Sequence, residues 1–292
     1  MHEDQAAALR RMVNRPGWHR QASPQPERRS RTIAVCSGKG GVGKSNVALN
    51  MSILLSAGGN RVALVDADMG LANLDVLIDV EIPGDLSHVV AGTKRLDEIV
   101  VDLSCGVQLV AGASGLVRLT NLSEFQRIRL LDELAQLECD NEFILVDCAA
   151  GIGPDVLQFA AGADIVLVVT TPEPTAITDA YTLIKVLMRR GFDGQISALI
   201  NQVDSRHEAR ATYQRIADVA RQFLSVRVFD AGYVSEDPKV RQAVRRREAL
   251  VLAYPQCPAS RCMAALVNKL SPSGALVGRK EGFFRRVVGL LS

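Results

Sequence analysis

The most specific chemistry in the chain sits in nine consecutive residues, Ser37-Gly38-Lys39-Gly40-Gly41-Val42-Gly43-Lys44-Ser45. They lie between an apolar run, Thr32–Cys36, and a stretch of helical patterning over 44–57. Gly38, Gly40, Gly41 and Gly43 let successive backbone N–H groups turn inward around phosphate oxygens. Lys44 brings positive charge to the β- and γ-phosphates, and the Ser45 hydroxyl can join the shell of a Mg²⁺ ion. The helix that opens here, with Val42 and Asn46 beside its first turn, adds the partial positive charge of its N-terminus. A strand, this loop and a helix are the context that phosphate binding requires.

Carboxylates recur at the ends of two further apolar runs. Asp66 and Asp68 close RVALVDA and its continuation, and Asp147 closes FILVD ahead of Gly151. Two carboxylates at i and i+2 face one site if the chain leaves the sheet there. A single Asp at a strand end is usually a turn former. Counted with the glycine-rich loop, these make three sites in order, each at the C-terminal edge of a strand, and together they point to a ligand crevice. Asn201 ends ISALIN, and Glu236-Asp237-Pro238 follow the last strand-like run. For these an ordinary loop role stays open.

The elements that must hold these residues are legible as short apolar runs at 32–36, 61–67, 106–112, 143–147, 164–169, 196–201 and 226–230. They are runs rather than alternations, so they suit strands buried on both faces. Helical stretches at 44–57, 123–138, 154–162, 174–190, 205–224 and 258–270 separate or follow them. The expected fold is α/β, a doubly wound and mainly parallel sheet with helices on both faces. The chain of 292 residues is 48% hydrophobic and 23% charged, which excludes global disorder. No apolar run reaches the roughly 18 residues that span a bilayer. The Arg-rich first 30 residues do not pattern as a secretory signal, so a cytoplasmic protein is expected. Six scattered cysteines include no CxxC pair; Cys257 and Cys262 come nearest and read as thiols rather than metal ligands.

Charge divides the chain into three parts. Residues 1–31 carry net +4, residues 279–292 carry net +3, and the remainder carries −5. An acidic core does not suit non-specific nucleic-acid binding, whereas basic ends suit an anionic surface. Residues 1–31 read as a short helix, with Ala6, Leu9 and Val13 on one side, followed by a Pro- and Arg-rich linker. Residues 32–270 form the core domain, and 271–292 a second linker and a closing helix. At 100° per residue, Phe283, Phe284, Val287, Val288, Leu290 and Leu291 share an arc, and Arg285 and Arg286 lie opposite. That division suits a helix in an anionic membrane interface. Docking on the protein's own core is the alternative.

With its additional Lys39, the loop reads KGGxGKS and resembles the deviant Walker A loop of the MinD/ParA ATPases. The resemblance implies ATP and Mg²⁺ as cofactors and an ATP-bound homodimer in which Lys39 reaches the partner's phosphates. It implies that Asp68 orients the attacking water and Asp66 supports the Mg²⁺ shell. Asp147 holds a Mg²⁺-bound water, and the Gly151 N–H senses the γ-phosphate. Asn201, Asp237 and Pro238 fall where the family contacts adenine.

Within that family, DADMGLANLDVL at 66–77, DCAAGI at 147–152, PEPTAITDAYTLIK at 172–185 and VRQAVRRREALVLAYP at 240–255 resemble the flagellar-number regulators called FlhG, FleN or YlxH. Cys148 stands where those relatives carry Thr. Asp4, Gln5, Leu9 and Arg10 fit the DQAxxLR motif, which in that branch stimulates the flagellar GTPase FlhF, with Gln5 helping to position water. The resemblance implies further partners among flagellar C-ring proteins or a flagellar transcription regulator. It also implies reversible residence at the inner face of the cell membrane, including a cell pole. Division-site positioning and ParA-type DNA partition are the alternatives. The latter would use Arg241, Arg245, Arg246 and Arg247, against the acidic balance of the core.

Overall fold

Strand β1 (Arg31–Ser37) shows why runs rather than alternations code this fold. Ile33 and Val35 point into one core layer, while Ala34 and Cys36 point into the other. The same division holds in β2 (Val62–Ala67) and β6 (Ile165–Thr170), where every residue is buried. A strand covered on both faces must be apolar at every position.

The computed structural model describes residues 30–68, 74–112, 123–270 and 282–289. Among them is one eight-stranded sheet, completed by β3 (Val101–Asp102), β4 (Val107–Ala111), β5 (Phe143–Ala150), β7 (Gln195–Val203) and β8 (Val228–Ser235). The order is β3-β4-β2-β5-β1-β6-β7-β8. All neighbours pair in parallel except the two-residue β3, which runs antiparallel to β4. The sequence pattern did not indicate β3, because two residues set no period. The remaining strands confirm the expected doubly wound α/β fold.

Helix α1 (Lys44–Ala57) follows β1 and is buried along most of its length. Two short helices, α2 (Leu74–Ile78) and α3 (Leu86–Ala91), lead to the β3–β4 edge. Helices α4 (Glu124–Asp140), α5 (Pro154–Gly162), α6 (Pro174–Arg189) and α7 (Arg206–Leu224) supply residues to the layer opposite α1. Ser123 and Ser205 cap α4 and α7 through their side chains, which satisfies otherwise orphaned N–H groups. Beyond β8 come α8 (Pro238–Arg245), α9 (Leu250–Ala253) and α10 (Pro258–Leu270), and α9 and α10 pack against α1.

The last described helix, α11 (Phe283–Gly289), packs against α4 and α5. Phe283, Phe284 and Val287 are buried there, while Arg285 is exposed. Glu138 of α4 caps α11, accepting the N–H of Phe283 at 3.1 Å and of Phe284 at 2.8 Å. In this arrangement the expected apolar face exists, and its described part lies on the core. The side chain of Val288, together with Leu290 and Leu291, lies outside the described residues, as do Asp4, Gln5, Leu9 and Arg10. Among the described residues, no helix is long and apolar enough to cross a membrane.

Candidate functional site

The phosphate-type loop leaves the C-terminal end of β1 at the centre of the sheet, where β5 and β6 flank it. A crevice at such a position is where open α/β sheets bind ligands. Gly43 enters α1 with φ +86°, and a Cβ there would lie 2.4 Å from Asn201 Nδ2. Glycine is therefore needed for both the turn and the close approach. A Cβ on Gly40 or Gly41 would meet no atom within 4 Å, and both glycines border an open cleft. No side chain caps α1, which leaves its first N–H groups directed at that space.

Lys44 Nζ lies 2.7 Å from Asp147 Oδ1, with only 8% and 1% of the two side chains exposed. Burial works against the charge on Lys44, and Asp147 more than offsets it, so the ammonium pKa lies above the ordinary lysine value. Burial likewise pushes the Asp147 carboxyl up, against the pull of Lys44. Asp147 Oδ2 is buried and has no hydrogen-bond partner among the described residues. An orphaned carboxylate oxygen behind an open, N–H-lined loop fits a Mg²⁺ ion that arrives with its waters and a phosphate.

Asp66 is almost fully buried, and its two oxygens receive the N–H groups of Asp68 at 3.1 Å and Leu74 at 3.4 Å. These bonds set the two ends of the segment between β2 and α2. Asp68 borders the same cleft as the loop. The β2–β5 register places Asp66 beside Asp147 across the sheet.

The cleft holds about 890 Å³, within the range of small-molecule sites. Gly40, Gly41, Val42, Gly43, Lys44, Ser45 and Asn46 line its polar end. Val234, Val240, Leu250 and Met263 line an apolar end able to take a flat heterocycle. Asn201 joins the two by donating to the Val42 carbonyl at 2.7 Å, and Asp237 lines the cleft. Asp237 also caps α8 and accepts the N–H groups of Lys239 at 2.9 Å and Ala259 at 3.3 Å. Despite some burial, these bonds hold its carboxyl below the usual range. Pro238 begins α8 and is not among the cleft-lining residues.

Two expected nucleotide contacts are engaged elsewhere in this structure. The Gly151 N–H donates to the Ser37 carbonyl at 2.8 Å, so it must change partner to reach a phosphate. Lys39 Nζ pairs with Glu173 at 2.6 Å and lies 3.3 Å from the Thr175 hydroxyl, on the exposed surface. Sequence reasoning missed Asn50, which lines the cleft and bonds the Asn46 carbonyl at 2.7 Å and the Val251 N–H at 2.9 Å. A second asparagine one turn after Asn46, amid Val47, Leu49, Met51 and Ile53, was the available signal. Gln202, which borders the cleft at φ +57°, carried none.

Comparison with known proteins agrees with this geometry. The sequence profile of the CobQ/CobB/MinD/ParA nucleotide-binding domain matches residues 33–251. The chain is 38% identical to the antiactivator FleN of Pseudomonas aeruginosa, over 82% of this chain and 85% of that protein. It is 36% identical to the flagellum site-determining protein YlxH of Helicobacter pylori, over 89% and 90%. Among solved structures, the septum site-determining protein MinD of Pyrococcus horikoshii, complexed with Mg-ADP, superposes with a TM-score of 0.67. That match has 23% identity and covers 83% of this chain and 96% of that one, and it speaks for the fold. With its loop, its strand-end aspartates and this likeness over most of its length, the chain belongs to the CobQ/CobB/MinD/ParA nucleotide-binding family and is a MinD/ParA-type ATPase that uses ATP and Mg²⁺.

Proposed function

We propose that this ATPase sets the number or placement of flagella through an ATP-dependent homodimer that cycles on and off the membrane. The observation that carries the reading is the likeness to FleN and YlxH over more than four-fifths of the chain and of each relative. Division-site proteins share the fold and a lower degree of sequence likeness, so division-site positioning stands second.

In the proposed cycle, Ser45, Asp66 and Asp147 hold Mg²⁺ and its waters, and Lys44 neutralises the phosphates. Asp68 orients the attacking water. Lys39 leaves Glu173 and crosses to the partner's phosphates, stabilising charge much as an arginine finger does. Gly151 exchanges the Ser37 carbonyl for the γ-phosphate. Asn201 and Asp237 border the base. Contact with clients and membrane uses the two basic ends of the chain. Asp4, Gln5, Leu9 and Arg10 engage FlhF and stimulate its GTPase. Phe283, Phe284, Val287, Val288, Leu290 and Leu291 enter the membrane interface once α11 leaves the core, with Arg285 and Arg286 meeting anionic headgroups. The name antiactivator supports a transcription regulator as a further client, beside C-ring proteins.

The test is GTP hydrolysis by purified FlhF with this protein added, comparing wild type with Gln5→Ala. Stimulation that the substitution removes supports the flagellar assignment and the role of the N-terminal motif. Absence of stimulation by folded, ATP-binding wild type overturns the FlhF role and moves division-site positioning to first place.

A further inference from the structure

Asn50 lies on the second turn of α1, fully buried, with both ends of its amide engaged. Nδ2 donates to the Asn46 carbonyl, one turn back, at 2.7 Å. Oδ1 accepts the N–H of Val251, 201 positions away, at 2.9 Å. The two bonds reach opposite halves of the nucleotide cleft. Asn46 lines the polar end with the phosphate-type loop. Val251 belongs to α9, whose first residue, Leu250, lines the apolar end. A helix of four residues is too short to fix itself. Its N-cap, Ala249, makes no side-chain cap, so the Val251 N–H is a first-turn donor that Asn50 satisfies from outside. On its other side, Ala249, Leu252 and Ala253 line a second cavity of about 1080 Å³. The helix is thus a thin partition between two cavities, held to α1 by the packing of Val251 and by the Asn50 bond.

We propose that Asn50 is a positioning residue for the nucleotide: it holds the apolar wall that receives the base at a set distance from the loop that receives the phosphates. Asn50 acts through Leu250 rather than on the reacting atoms. Without its acceptor, the buried Val251 N–H must find water or another partner, and α9 moves with it. Leu250 then no longer stands where a base, fixed by its own phosphates, has to lie. This role rests on the base lying at the apolar end of the cleft, as read above, and needs no flagellar client.

Calorimetric titration of the full chain with Mg-ATP and with Mg-tripolyphosphate, which carries phosphates without a base, reads the two ends of the cleft separately. Asn50→Ser keeps a hydroxyl able to bond the Asn46 carbonyl, as Ser52 bonds the Ala48 carbonyl at 2.9 Å on the same helix, but it is too short to reach Val251. Its affinity for ATP falls about tenfold, while that for tripolyphosphate stays within about twofold. Hydrogen exchange of the Val251 amide speeds up, and the α1 amides keep their protection. Asn50→Asp retains an acceptor for Val251. Whatever its charge does to both affinities, their ratio stays that of wild type. Leu250→Ala alters the wall itself and lowers the same ratio. Equal loss of both ligands in Asn50→Ser, or loss of neither, with the ratio lowered in Leu250→Ala, overturns the positioning role alone. An unchanged ratio in Leu250→Ala takes the base away from this wall and overturns both that placement and the role of Asn50. If the α1 amides of Asn50→Ser lose protection, Asn50→Asp decides: a ratio about tenfold below wild type overturns the role, and a wild-type ratio supports it.

Discussion

At the C-terminal end of β1, Lys44 holds Asp147 at 2.7 Å, and both side chains are almost wholly buried. At its N-terminal end, Arg286 holds Asp164 at 3.1 Å, with 13% and 19% of the side chains exposed. Each is a cation on a carboxylate carried by, or adjoining, a central strand. They differ in what the cation is mounted on. Lys44 begins a helix covered along most of its length, and the β1–β5 pairing fixes its distance from Asp147. Arg286 sits on a seven-residue helix that touches the core along one side. The same chemistry is therefore expected to make a permanent site in the first case and a detachable contact in the second. Removing one partner should therefore damage the core and its ligand at one end, and only the tail at the other.

Lys44→Ala is the largest expected effect. It strands a buried carboxylate and removes the charge facing the phosphates. ATP affinity should fall by more than about 100-fold, and the midpoint of thermal unfolding should fall as well. Arg286→Ala should leave both quantities near wild type. Calorimetric titration with ATP and a thermal melt on each variant make the comparison. Equal loss of core stability in the two variants would break it.

Lys39→Ala separates binding from turnover within the nucleotide end. Lys39 is engaged with Glu173 on the surface and contributes nothing to the polar floor of the cleft. Affinity of the single chain for ATP should stay within about threefold, while steady-state hydrolysis falls by about 10³-fold, the scale of a missing charge supplied in trans. Asp68→Ala should slow hydrolysis by about 10²-fold and leave ATP-bound dimers that persist on a sizing column. Normal turnover in either variant would remove that residue from the catalytic role.

The two ends of β1 were also unequally legible in the sequence. The phosphate-type loop is contiguous, and its spacing encodes its own geometry. The strand-end aspartates were legible because the apolar runs before them end where the sheet ends. The tail seat offers no such signal. Glu138, Gly162 and Asp164 are each ordinary residues, and the bonds that Glu138 and Asp164 make to α11 cross 122 to 146 positions of sequence. Amphipathicity did reveal α11 as a helix with one apolar arc. It could not say whether that arc meets lipid or core, since both reward the same pattern. Pro238 shows a milder version of the same limit: the segment Glu236-Asp237-Pro238 was placed after the last strand, where Glu236 and Asp237 border the cleft and Pro238 instead begins α8.

The smallest predicted effect asks whether the tail contact can be loosened without touching its charges. Gly162 ends α5, and a Cβ there would lie 2.5 Å from Val287 Cγ2 and 3.3 Å from Phe283 Cε2. Real side chains do not tolerate the first distance, so Gly162→Ala must displace α11. The same change removes a flexible residue from the end of a helix, which favours α5 by up to about 1 kcal/mol. The two consequences act on different parts of the molecule. Exchange of the 283–287 amides should rise about threefold, while the α5 amides stay as protected as in wild type or become more so. ATP affinity should not change, because the nucleotide cleft lies at the other end of β1. Parallel loss of protection in α5 and α11 would mean that the tail is an integral part of the core layer, and the contrast between a permanent and a detachable pair would fail.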